Sequence, residues 1–282
     1  MRRHALCGML VAALFAVTPS SASASWETGA RVNFDSNVNL SVNDEESDTF
    51  FSAYLSFSRE ASGASRLGWT LDSSIEGAAY VKLDDLDYAS VSIAPGLSFI
   101  PFHAWSIQVS PFLQAKGVKD SEQSAFAFGA KLSLRQSLGK DLYSGEYYVY
   151  KDSRADVDTY SFTEHVAGAF LGVSWTRRFF TEAGYEFARG DSFRTVNTVS
   201  TTSTAAPGPG SGPGRGRHGR FSSTFDAEVI REKVSSHSLW ASFGIDWTRS
   251  LFSQAGYSFT TTDGDLGTSD VHGVSAGIGY RF

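Results

Sequence analysis

Histidines, carboxylates and arginines set among serines and aromatic rings are the groups in this chain able to do chemistry. A hydrolase needs a nucleophile with a base positioned beside it. His165, His237 and His272 have abundant serine around them, yet no serine–histidine–acid spacing marks a triad. His103 and His218 fall in segments that read as a turn and a flexible loop. Asp263-Gly264-Asp265 begins like a calcium loop but lacks the glutamate that closes one. Arg189-Gly190-Asp191, an adhesion tripeptide elsewhere, reads as a chance match. Cys7 is the one cysteine, which excludes a disulfide framework and a paired-cysteine metal site. No catalytic residue, metal site or cofactor is assigned.

The charges make a clearer pattern. They fall on one parity of segments whose other parity is apolar, so they are expected to share one face. The acidic set on that face is Glu27, Asp35, Asp72, Glu76, Glu146, Glu182, Glu186 and Asp246. The basic set is Arg31, Lys116, Lys131, Arg135 and Arg281. Tyr54, Tyr80, Tyr88, Phe112, Tyr148, Tyr150, Phe180, Trp240 and Phe252 share the face. Rings of charge set ion selectivity in pores, and the acidic excess here implies a mild cation preference. Glu27 and Arg281, near the two chain ends, are expected to pair across a seam.

Such a face requires elements of period two. Val274, Ala276, Ile278 and Tyr280 alternate with Ser275, Gly277, Gly279 and Arg281. Leu239, Ala241, Phe243, Ile245 and Trp247 alternate with Ser242, Gly244 and Asp246. One apolar and one polar face is the pattern of a strand between two media. Counting such runs predicts about twelve strands, roughly 26–37, 49–59, 66–80, 88–99, 104–116, 124–137, 142–151, 163–175, 178–189, 237–248, 251–262 and 272–282. Most are longer than the usual globular strand of about 5–6 residues, and a tilted strand needs about 9–11 to cross a membrane. Short turns around Gly63, Pro101, Gly139, Arg177 and Ser250 alternate with longer polar loops, including Asp152 to Asp158 and Asp263 to Asp270. The fold class predicted is all-β, a closed antiparallel transmembrane barrel with short periplasmic turns and long extracellular loops.

An internal repeat supports this. Residues 172–187 match residues 244–259 at an offset of 72, each copy a hairpin with Trp beside the turn and Tyr-x-Phe about ten residues on. Aromatic rings at both ends of a strand suit the two membrane interfaces. The longest predicted loop, 190–236, has a Pro/Gly-rich basic centre. Arg215, Arg217 and Arg220 in it are candidates to bind lipopolysaccharide phosphates or acidic loops, and the loop itself is a candidate plug.

Composition agrees. The 282 residues are 41% hydrophobic and 19% charged, with 27 Gly and 22 Phe. This is too apolar for a disordered chain, and an acidic sequence pI near 5.5 argues against nucleic acid as a partner. Arg2, Arg3 and His4, the apolar stretch Ala5 to Val17 and Ser21-Ala22-Ser23-Ala24 together read as a cleaved secretory signal peptide, residues 1–24. Cleavage takes the formal charge from −6 to −8. Residues 25–282 would be one domain.

The ending Tyr280-Arg281-Phe282 is similar to the terminal signal that Gram-negative outer-membrane β-barrels present to the barrel-assembly machinery. Phe34-Asp35-Ser36-Asn37-Val38-Asn39 resembles a first-strand stretch of several such families, including barrels that export polysaccharide or surface lipoproteins. The resemblance, to the porin-like class, implies an outer-membrane location, contact with membrane lipids and lipopolysaccharide, and Tyr280 and Phe282 as an assembly signal. The leading functional expectation is a narrow, mildly cation-selective channel for small hydrophilic solutes or ions. A scaffold or export partner ranks second. A lipid-modifying hydrolase using His165, His237 or His272 ranks third.

Overall fold

A computed structural model describes residues 24–60, 66–102, 104–196 and 219–282. The expected leader, 1–24, lies outside these residues but for Ala24, as do Arg215, Arg217, His103 and His218. The strands are β1 (Ala24–Asp35), β2 (Asp48–Arg59), β3 (Leu67–Tyr80), β4 (Tyr88–Phe99), β5 (Trp105–Val118), β6 (Ala125–Ser137), β7 (Leu142–Ala155), β8 (Phe162–Ser174), β9 (Phe179–Val196), β10 (Gly219–Ser222), β11 (Ala227–Asp246), β12 (Leu251–Gly264) and β13 (Gly267–Arg281). Each barrel strand pairs antiparallel with its neighbours, β9 pairs with β11, and β13 returns to β1. The result is a closed ring of twelve staves. Closure removes the two free edges that an open sheet of this length would expose. β10 is extra: it pairs with the outer tip of β11, from Gly219 opposite Ile230 to Ser222 opposite Ala227.

The apolar residues lie outside. Phe51, Leu55, Trp69, Ile75, Leu97, Val109, Leu132, Leu171, Leu239, Phe243 and Ile278 are all exposed. This inverts a water-soluble fold and suits a wall that meets lipid. Trp26, Trp69, Trp105, Trp175, Trp247 and Tyr280 mark the short-turn end of this wall. The repeated hairpins share one stitching. Trp175 Nε1 donates to Thr181 Oγ1 at 2.8 Å, and Trp247 Nε1 donates to Ser253 Oγ at 3.0 Å. In both turns a threonine hydroxyl, Thr176 or Thr248, accepts the backbone N–H groups that follow it.

Strand reaches into two expected loops. Gly190 to Val196 extends β9 and Ala227 to Ser236 extends β11, so strand occupies both ends of the predicted loop 190–236. The two strands pair along their whole length, and seven of their eighteen residue pairs, those of Gly190 to Val196, lie in the extension. Asp263 to Asp270 is likewise a tight hairpin, with Gly264 opposite Gly267. Gly267 takes φ +114°, a conformation that side chains with a Cβ rarely adopt.

Candidate functional site: luminal wall and outer lid

At the periplasmic end the first and last strands meet in a three-charge cluster. Arg281 Nε lies 3.1 Å from Glu27 Oε2, and Arg281 Nη1 lies 2.9 Å from Asp246 Oδ1. Register sets Glu27 opposite Arg281 on the β1–β13 seam. The guanidinium also stacks over Phe252, 4.1 Å from the ring centroid. All three charges point inward.

Further up, one arrangement occurs four times. A cation lies over a tyrosine ring whose hydroxyl donates to a glutamate. Arg31 covers Tyr54, whose hydroxyl is 2.8 Å from Glu27. Lys116 covers Tyr88, 2.7 Å from Glu76. Arg135 covers Tyr143, 2.6 Å from Glu182. Lys131 covers Tyr147, 2.5 Å from Glu186. The ring offers its negative face to the cation and its polarised O–H to the anion, so one side chain holds both charges. Glycine makes room for three of the rings: a Cβ on Gly29 would lie 2.8 Å from Cε1 of Tyr54. A Cβ on Gly168 would lie 2.4 Å from Cζ of Tyr147, and one on Gly172 would lie 2.2 Å from Cζ of Tyr143. Asp72 accepts from Ser58 at 2.8 Å, and Asp35 from the backbone of Asn37 at 2.9 Å.

β7 departs from the sequence reading. Glu146 pairs with Leu134 and Ala169, and Tyr148 with Leu132 and Ala167. These partners face lipid, so Glu146, Tyr148 and Tyr150 stand on the outer wall, not in the lumen. The residues that point inward are Tyr143, Tyr147, Val149 and Lys151. Alternation misled here because β7 carries aromatic rings on both parities, and only the register with β6 decides between them. Glu164 on β8, opposite Lys151, also faces inward and had no part in the sequence reading. With Glu146 removed and Glu164 and Lys151 added, acids keep a small excess on the wall.

The charges are unevenly distributed. Lys116, Lys131, Arg135 and Lys151 sit on the contiguous staves β5 to β7, while most acids sit on β8 to β11 and on β1 and β3. A luminal cavity of about 510 Å³ borders the basic sector, lined by Lys131, Lys151, Gln108, Gln114, Ser110 and Asp72 among others.

The outer mouth carries a lid. Leu83, Leu86, Tyr160, Phe225, Ala227 and Val229 form a buried apolar cluster, joined by Val38, Tyr80, Ala155, Val157 and Phe193. Leu83 and Leu86 belong to the β3–β4 connection, and Phe225, Ala227 and Val229 to the β10–β11 hairpin. These stand six staves apart in a ring of twelve, so a cluster that joins them bridges the opening. Polar contacts tie it down. Thr224 Oγ1 donates to Asp120 at 2.9 Å, and Arg220 pairs with Glu122. Asp48 accepts from the backbone of Thr49, Lys82 and Leu83. The hydrogen bond from Lys119 holds the Asp84 carboxyl below its usual range and links the β3–β4 and β5–β6 loops.

Arg194 is fully buried, 3.1 Å from Glu232, which is 5% exposed. It also donates to the carbonyls of Gly267 and Leu40. Asn37 and Asn39, from the stretch that resembles other barrels, fold the β1–β2 loop: Asn37 holds Ser41 through both side-chain atoms, and Asn39 bonds Asp44 and Glu46. Thr195 then donates to Asn39 O at 2.9 Å. Arg194, Glu232 and the lid cluster were not legible in sequence. Of the three loop arginines expected to bind phosphates or the acidic loops, Arg220 is the described one, and it pairs with Glu122 of the acidic β5–β6 loop.

The hydrolase reading finds no such placement among the described residues. The imidazoles of His165, His237 and His272 lie on the outer wall, each bonded to a tyrosine rather than a serine.

No protein-family model matches the sequence, and no curated protein does. Solved structures match its shape. The COG4313 outer membrane channel from Pseudomonas putida F1 aligns with a TM-score of 0.56 at 8% identity, over 94% of this chain and 97% of that one. The fold is that of an outer-membrane β-barrel. The KdgM porin in complex with disordered oligogalacturonate aligns at 0.52 and 9% identity, over 91% of this chain and 99% of that one. The NanC porin aligns at 0.50 and 10% identity, over 90% and 98%.

Proposed function

We propose that this barrel is an outer-membrane channel for small hydrophilic solutes or ions, narrow at its outer mouth and mildly cation-selective. The observation that carries the reading is the polar, charge-lined cavity inside a closed ring of twelve staves. A ring of this size is wider than an eight-stranded barrel filled by side chains and narrower than a sixteen-stranded porin. The lid cluster narrows the outer end further. Cation preference follows from the acidic excess on the wall, softened because the glutamates of the four trios are already bonded to tyrosine.

A second reading concerns the basic sector. Lys131 and Lys151, with Gln108 and Gln114, suit an acidic solute, and the KdgM structure holds an acidic oligosaccharide. Single-channel recording in a planar bilayer under a salt gradient separates the two. Discrete steps with a cation-directed reversal potential support the first reading, and an anion-directed potential supports the second. A folded barrel that never conducts refutes both.

A further inference from the structure

The lipid-facing wall carries a repeated arrangement that a channel does not need. Nδ1 of His165 lies 2.6 Å from Tyr148 Oη, Nδ1 of His237 lies 2.6 Å from Tyr185 Oη, and Nδ1 of His272 lies 2.8 Å from Tyr257 Oη. Beside each imidazole lies a second ring, Tyr150 at 5.2 Å, Phe187 at 5.1 Å and Phe259 at 5.0 Å. The offset of 72 carries His165 to His237 and Tyr185 to Tyr257, one member of a pair to one member of another.

Register sets the three pairs at one level. His165 shares a row with Arg189 and Ser235, and His237 stands two residues closer to the periplasm than Ser235. His237 shares a row with Thr261 and Asp270, and His272 stands two residues closer than Asp270. Two staves across and two residues down, taken twice, follows the tilt of barrel strands and keeps depth constant. Ten residues separate His165 from Trp175 and His237 from Trp247. At about 3.3 Å per residue and a tilt of about 40°, that spans about 25 Å, the height of a barrel's apolar band. The histidines therefore stand where the outer headgroup layer begins.

The chemistry is the same at each pair. A tyrosine hydroxyl that donates to Nδ1 leaves the ring proton on Nε2, and a charged imidazole also presents Nε2–H. In both states Nε2 is a donor. Exposed Arg189, the cross-strand neighbour of His165, adds a permanent charge. Of the acids on this rim, Asp152, beside His165, pairs with Arg154 at 3.2 Å, Asp191 is held by Arg231 at 2.6 Å and Asp263 bonds Thr268. Asp270 is nearer His237 and His272 than His165, so His165 with Arg189 is the most anion-favouring of the three.

We infer that this belt binds the phosphorylated headgroups of outer-leaflet lipid, with His165 and Arg189 as its strongest site. The inference stands whether or not the lumen conducts. Its test is native mass spectrometry of the purified full barrel, loaded with diphosphoryl lipid A or with the same lipid dephosphorylated. The wild type should retain the phosphorylated lipid preferentially. H165F/H237F/H272F and, separately, R189Q should each lower that retention about fivefold or more, as loss of a hydrogen bond would. Heat-modifiability on gels checks that each variant is folded; where the triple variant is not, R189Q decides. Equal retention of the two lipids, or no loss in a folded variant, overturns the inference. So does displacement by millimolar inorganic phosphate, which would mark a site for free anions.

Discussion

Arg281 reaches two carboxylates at once, Glu27 across the seam and Asp246 two staves away, so the last residues of the chain tie the first strand to the eleventh. Each pair is about one-third exposed, and exposed pairs contribute roughly 0–1 kcal/mol. Arg281→Met removes both and leaves two facing acids. The expected loss is about 1–2 kcal/mol, read as a lower urea midpoint of the folded barrel. Glu27→Gln should lose less, because Asp246 still holds the guanidinium. Equal midpoints for wild type and Arg281→Met would show that the seam closes without this cluster.

Tyr147 holds both Lys131 and Glu186. Tyr147→Phe keeps the ring under the cation but removes the hydroxyl from the carboxylate. If the lumen conducts, the freed Glu186 should shift the reversal potential further toward cations while unit conductance changes little. Gly168→Ala should act similarly by displacing the ring that now occupies the space of a Cβ. An unmoved reversal potential in both variants would mean that this trio lies off the ion path.

Glu146 stands on the lipid wall, four residues into β7. A lipid-facing charge is destabilising by an amount that depends on depth, less for acids than for bases. Glu146→Leu should therefore stabilise the isolated barrel, by about 1 kcal/mol. A loss of stability instead would indicate that the carboxylate has a partner in the membrane.

These positions also show what sequence could and could not supply. Facing was legible wherever one parity was plainly apolar, as in β6 or β13, because a one-residue slip there would bury every charge in lipid. It failed in β7, where Tyr147, Tyr148 and Tyr150 occupy both parities and cross-strand register alone decides. Arg194 and Glu232 were illegible for another reason. They lie on strand extensions above the membrane, where alternation no longer separates lipid from water and Gly190 to Val196 reads as polar loop. The lid was hidden because its members come from separate loops, and no local period records their meeting. The 72-residue offset relates His165 to His237 and Tyr185 to Tyr257, but the pairing of tyrosine with histidine needed the register to be seen.

Phe225 is central to the lid, packed with Phe193 at 6.1 Å. Phe225→Ala should loosen the lid without unfolding the staves. If the lumen conducts, the variant should show longer or larger openings than wild type in the same bilayer recordings, with an unchanged urea midpoint. Identical openings would place the narrowest point elsewhere.

The lid has a consequence for how the molecule is made. Its apolar members are separated by much of the chain, from Leu83 to Val229, and stand on opposite sides of the ring, so they should meet once the ring has closed. Contacts of such long sequence separation are slow to form. The lid is thus expected to form late. During refolding into vesicles, protease resistance of the outer loops should appear after the strand signal has reached its plateau. That delay makes the cap a clock for barrel completion.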